Sequence, residues 1–188
     1  MNHSIERELT LRQARALHYA EQGLPEDGGL SARVWTLIKL GPWPLELPNF
    51  AWRKRALPCH DLHHLLTGYP CSVDGEYQTA AWEFAAGRFP SLGSSLFCLP
   101  LVGIGAVVTP KATFVAFVRG RRSTTLYRTG LTEDLLDSSL AELRASLLPM
   151  GRSRASLRDI ASYSGLVLLA LALLLGPVVM LIWALSFS

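Results

Sequence analysis

Residues 59–76 read CHDLHHLLTGYPCSVDGE, and the organisation of the chain follows from how this stretch folds. His60 and His64 are four apart, so a helix puts both imidazoles on one face. Asp61, three before His64, approaches the same face from the flank. Gly68 and Pro70 end that helix and let the chain turn back. Ser72 or Asp74 can start the next helix, with Glu76 in its first turn, facing His64 across an αα-hairpin. His60, Asp61, His64 and Glu76 then make an N₂O₂ ligand set suited to zinc or another divalent first-row metal. In a chain this apolar, a metal offsets the cost of grouping carboxylates and imidazoles. Histidines four apart also occur on solvated helices that bind nothing, and His63 reads as a surface residue or a support behind the ligands. The order is not the HExxH of zinc proteases. It is not the HD signature of phosphohydrolases either, because the only other histidines are His3 and His18.

Outward from this hairpin the body reads as all-α. The patterning predicts a helix over 4–21 with Ser4 as its cap, a loop at 23–29, and a short helix over 32–39 capped by Ser31. Gly41, Pro42, Pro44 and Pro48 form an extended connection. Asn49 caps a helix from Phe50 to Arg55, and Pro58 opens a separate helix running to Thr67. A helix from Ser72 to about Gly87 carries Glu76 and Glu83. Leu96–Val108 reads as a buried helix, because Pro100, Gly103 and Gly105 suit a packed core better than a second membrane crossing. Residues 112–118 have strand propensity, but with no partner strand they continue the helical core. Thr132 caps a helix over 133–148, closed by Pro149. Arg53 and Arg88 are candidates to meet an anionic head group. Cys59, Cys71 and Cys98 form no CxxC pair and read as reduced, inert thiols.

Every charged side chain lies at or before Asp159, so the last 29 residues carry none. Residues 166–187, LVLLALALLLGPVVMLIWALSF, would be about 33 Å long as a helix. The hydrocarbon layer is about 30 Å thick, so this is one crossing. Arg152, Arg154 and Arg158 precede it and favour a cytoplasmic body under the positive-inside rule. Residues 1–20 carry five charges and no apolar core, unlike a signal peptide. The organisation predicted is a helical metal-binding domain at 1–150, a juxtamembrane hinge at 151–165 and a transmembrane helix at 166–187. A net charge of +3 without a recognisable nucleic-acid module argues against nucleic-acid binding.

His60-Asp61-x-x-His64, followed by eleven residues and Glu76, resembles the signature of the Coq4 family of ubiquinone-biosynthesis proteins. Leu66-Thr67-Gly68, Gly75-Glu76 and Trp82-Glu83-Phe84 are similar to the family's flanking sequence, over roughly residues 30–145. The resemblance implies an all-helical domain whose metal ligands are His60, Asp61, His64 and Glu76, which would also be the catalytic residues. It implies zinc first, with iron or manganese as alternatives. It further implies a polyprenylated quinone precursor or prenyl lipid as ligand, and the membrane, other quinone-biosynthesis enzymes and a second copy of the chain as partners. The activity implied is metal-dependent C1 decarboxylation and hydroxylation of the prenylated ring. The alternative is a non-catalytic scaffold that binds the precursor and organises other enzymes. This chain departs from the family pattern in being short and in its C-terminal span.

Overall fold

The first helix starts at Thr10, whose hydroxyl accepts from the Gln13 amide while the Gln13 side chain returns to the Thr10 amide. The computed structural model describes residues 9–40, 43–87, 89–148 and 154–186. Helix α1 (Leu11–Glu21) therefore begins later than the predicted 4–21 helix, and Ser4 lies outside the described residues. The elements that follow are β1 (Val34–Leu40), β2 (Trp43–Pro48), α2 (Ala51–Thr67), α3 (Val73–Ala86), α4 (Leu92–Val108) and α5 (Pro110–Gly120). The short helices α6 (Leu126–Thr129), α7 (Glu133–Asp137) and α8 (Leu140–Leu147) lead to the long α9 (Leu157–Ser186).

The body is helical, with one sheet among the described residues. That sheet replaces the predicted helix over 32–39. Strands β1 and β2 pair antiparallel, Val34 opposite Pro48 and Thr36 opposite Glu46, with an irregularity between Thr36 and Ile38. The β-branched Val34, Thr36 and Ile38 recur at period two, and the proline-rich segment read as a connection supplies the partner strand. Trp35 packs edge-on against Phe97 of α4, ring centroids 5.4 Å apart, and so fastens the hairpin to the body.

Two predicted helices merge into α2, which runs through Pro58 at the loss of one backbone hydrogen bond. Phe50 holds the N-cap position in place of Asn49. The Asn49 amide instead donates to the carbonyls of Gly29, Leu30 and Ala32, and its Oδ1 accepts from Arg53. Ser72 caps α3 as expected, accepting from the Gly75 amide. Any Cβ at Gly75 would overlap the Pro70 carbonyl oxygen, so glycine lets the turn close and sets where Glu76 begins its helix. Thr132 caps α7, but the predicted 133–148 helix divides at Ser138, whose carbonyl accepts from the Leu11 amide while the Leu140 amide reaches Leu9. Pro149 lies outside the described residues.

Two apolar clusters hold the body together. Leu11, Leu62, Leu66, Leu126 and Leu140 join α1, α2, α6 and α8. Trp82, Val102, Ala116 and Phe117 join α3, α4 and α5, and Tyr163, Leu166 and Val167 of α9 pack on their edge. Ala170 and Leu174 of α9 also meet Gly103 of α4, and the rest of the helix is largely exposed. It is the one helix among the described residues long and apolar enough to cross a membrane, and only 6% of its most apolar window is buried. That exposure separates it from the core helix of a soluble body. It is continuous through Gly176 and Pro177, and it starts at Leu157, inside the predicted 151–165 hinge.

Candidate metal centre

Helix α2 presents His60 and His64 one turn apart, and α3 brings Glu76 against both. His60 Nε2 lies 3.1 Å from Glu76 Oε2, His64 Nε2 lies 3.2 Å from Glu76 Oε1, and the two Nε2 atoms are 3.2 Å apart. One ligand atom from each of the three residues lies within 4.8 Å of the others. As neutral rings, neither imidazole offers a proton at this point. His64 Nδ1 sits 3.0 Å from the Tyr69 carbonyl, which only accepts, so its proton is on Nδ1. His60 Nδ1 sits 3.1 Å from Glu83 Oε1 and donates to it. Both Nε2 lone pairs of the neutral rings then converge with a carboxylate, and three acceptors at hydrogen-bond distance need a positive charge between them, a metal ion or protons on the rings. This cluster is able to chelate a divalent metal.

The surroundings match what a metal-ligating histidine needs, a carboxylate or carbonyl on the far ring nitrogen. Glu83 provides the carboxylate. It is fully buried, and its Oε1 also accepts from His63 Nδ1 at 2.7 Å and from the Tyr127 hydroxyl at 2.8 Å. His63 is closed at its other end by the Leu126 amide, 3.0 Å from Nε2. The structure thus corrects the surface reading of His63, which is 0% exposed and belongs to the support of Glu83. Arg119 braces the carbonyl side, donating to the Thr67 carbonyl with its guanidinium over the Tyr69 ring.

Protonation follows the same layout. Burial opposes charge on His60, but Glu83 and Glu76 raise its pKa well above the ordinary value. Burial likewise opposes His64, and its contacts to Cys71 and Glu76 still lift it to about 9. Burial works against both carboxylates, yet His60 and His64 hold Glu76 far below the usual range, and His60 and His63 hold Glu83 at about 2. In the metal-free protein a proton takes the place of the cation.

Asp61 points elsewhere. Its Oδ2 accepts from the Tyr19 hydroxyl of α1 at 2.9 Å, and it is not in the three-residue cluster. Burial raises its carboxyl above the ordinary value. Cys71, read as inert, lies on the rim with its Sγ 3.5 Å from His18 Nε2. Burial opposes its ionisation, but His18 and His64 bring the thiol down to about 7. Cys59 is buried in the apolar cluster with Leu62 and Leu126. Arg53 stacks 4.3 Å over Trp35 and bonds Asn49, which accounts for it structurally, and Arg88 lies outside the described residues. His63 and Glu83 carry the one sequence signal that reveals the support, since they fall one turn and two turns from His60 and Glu76. Tyr19, Tyr127 and the Tyr69 carbonyl give none. Access is from the Glu76 side, whose side chain is 35% exposed while His64 is 2% exposed. No family model, curated protein or solved structure matches the chain.

Proposed function

We propose that this chain is a membrane-anchored metalloenzyme with one divalent ion on His60, His64 and Glu76, acting on a polyprenylated aromatic precursor as in the Coq4 family it resembles. The observation that carries the reading is the three-donor cluster with each histidine fixed from behind. Two histidines and a glutamate are a ligand set of catalytic rather than structural sites, because a fourth position stays free. With Asp61 committed to Tyr19, this count favours chemistry over the scaffold alternative. A bound metal would stabilise negative charge on a ring carboxylate or phenolate. Glu83 keeps His60 in the Nδ1–H form, the Tyr69 carbonyl does the same for His64, and the exposed flank of Glu76 is the approach for the ring. The reaction proposed takes the ring carboxylic acid, dioxygen and water to the phenol, carbon dioxide and hydrogen peroxide: the C1–carboxylate bond breaks, a C1–oxygen bond forms, and dioxygen is the two-electron oxidant. Zinc has no redox chemistry of its own, so iron or manganese suits this oxidation better. The body faces the cytoplasm, with Arg154 and Arg158 at the near surface of the span.

Lipid extraction and metal analysis on one purified sample of the full chain in detergent test this. Co-purified polyprenylated aromatic acid, converted to its hydroxylated product by the metal-loaded protein, is the expected result. Extracts containing phospholipid alone, and no turnover of an added prenylated hydroxybenzoate, would overturn it.

A further inference from the structure

The seam between α4 and α9 ties the body to the depth of the span. Ideal Cβ geometry at Gly103 would place an added methyl 3.1 Å from Ala170 Cβ and 3.4 Å from Leu174, so the two helices touch backbone to side chain there. The apolar stretch from Leu166 to Ser186 is only just long enough to cross a hydrocarbon layer of about 30 Å. Ala170 and Leu174 then lie about 6 and 12 Å inside it. Gly103 is held at their depth.

Resting on the anchor reading above, we propose that α4 and the α4–α5 turn are themselves sunk in the bilayer, so that the body is partly embedded rather than tethered above the membrane. The surface they present is the right one. Val107 and Val108 of α4 and Val115 of α5 are exposed apolar side chains on the two helices that α9 packs against. From Phe89 to Val118 the one charge is Lys111, whose flexible stem can lift its ammonium to the head groups.

Backbone groups in hydrocarbon need internal partners, and the turn supplies several of them. The Thr109 amide donates to the Gly105 carbonyl and the Thr113 amide to the Thr109 carbonyl. The Thr109 hydroxyl reaches the Gly105 carbonyl and the Thr113 hydroxyl the Thr109 carbonyl. Pro110 brings no amide hydrogen. Tyr77 packs on Gly105, so Glu76, one residue back along α3, stands at the membrane end of the body. An amphipathic ring substrate would then reach the metal centre from the lipid interface.

Benzophenone photocrosslinking in phosphatidylcholine vesicles tests this with the full chain. p-Benzoylphenylalanine replaces Val107, Val115, Met180 or Leu24, one position at a time, and lipid adducts are read by mass spectrometry. The expected result is adducts at Val107 and Val115 comparable with Met180, and none at Leu24 of the body. Adducts at Met180 without Val107 or Val115 would overturn the embedding and leave the anchor standing. No adduct at Met180 would overturn the anchor and the embedding with it.

Discussion

The α2–α3 seam and the α4–α9 seam are both close helix contacts, built by opposite means. Across α2 and α3, buried polar groups fix the geometry, with Glu83 Oε1 alone accepting from His60, His63 and Tyr127. Across α4 and α9, small residues fix it, with Gly103 against a fully buried Ala170 and no charge on either face. The first seam orients lone pairs towards a cation, which needs hydrogen bonds that are expensive to leave unmade. The second works where both sides are apolar and only close packing separates one arrangement from another.

Breaking the polar seam has the largest expected effect. Glu83→Ala leaves His60, His63 and Tyr127 without their acceptor. Losing one partner of a buried charged network costs about 3–5 kcal/mol. Chemical denaturation of the full chain in detergent reads it, and a loss under 1 kcal/mol would mean that the network does not form as described. In the apolar seam, Gly103→Leu forces a side chain into contact distance of Ala170. Overpacking of this kind costs about 1–3 kcal/mol, measured the same way, and should leave metal content unchanged. Loss of metal in Gly103→Leu would show that the two seams are coupled.

The third prediction concerns pH and separates the proton from the metal. His64 is raised to about 9 in the metal-free fold, against about 6.5 for a free imidazole. A raised folded pKa contributes stability that is complete below the unfolded value and is lost as pH rises through the folded one. The chelator-treated chain should therefore lose thermal stability between about pH 6.5 and 9. The metal-loaded chain should not, because the ion replaces the proton. Parallel curves for the two forms would contradict this. The smallest effect is expected at Asp61→Asn, which weakens one bond to Tyr19, worth about 1 kcal/mol, and keeps the metal.

The polar seam was partly legible in the sequence because its central residues obey helical spacing. His60 and His64 share a face by arithmetic, and Ser72 and Gly75 mark where α3 begins. What the sequence does not reveal is which neighbour occupies each flank. Asp61 turns away because α1 docks there and offers the Tyr19 hydroxyl, a contact between residues 42 positions apart. His63 goes inward because α6 brings the Leu126 amide to it across 63 positions. The β1–β2 hairpin was misread for a related reason. A strand is defined by its partner, and the prolines of β2 hid that partner. The uncharged tail was legible from composition alone, whereas its side-by-side contact with α4 depends on Gly103 and Ala170, two small residues without any periodic signal.

The central claim is that His60, His64 and Glu76 hold one divalent ion and Asp61 does not. Its most direct test is cobalt(II) titration of the full chain in detergent, followed by visible absorption and by metal per chain after desalting. Wild type and Asp61→Asn should each retain one ion with the same spectrum, while His64→Ala and Glu76→Ala retain little. Loss of the ion in Asp61→Asn with full retention in Glu76→Ala would contradict the account.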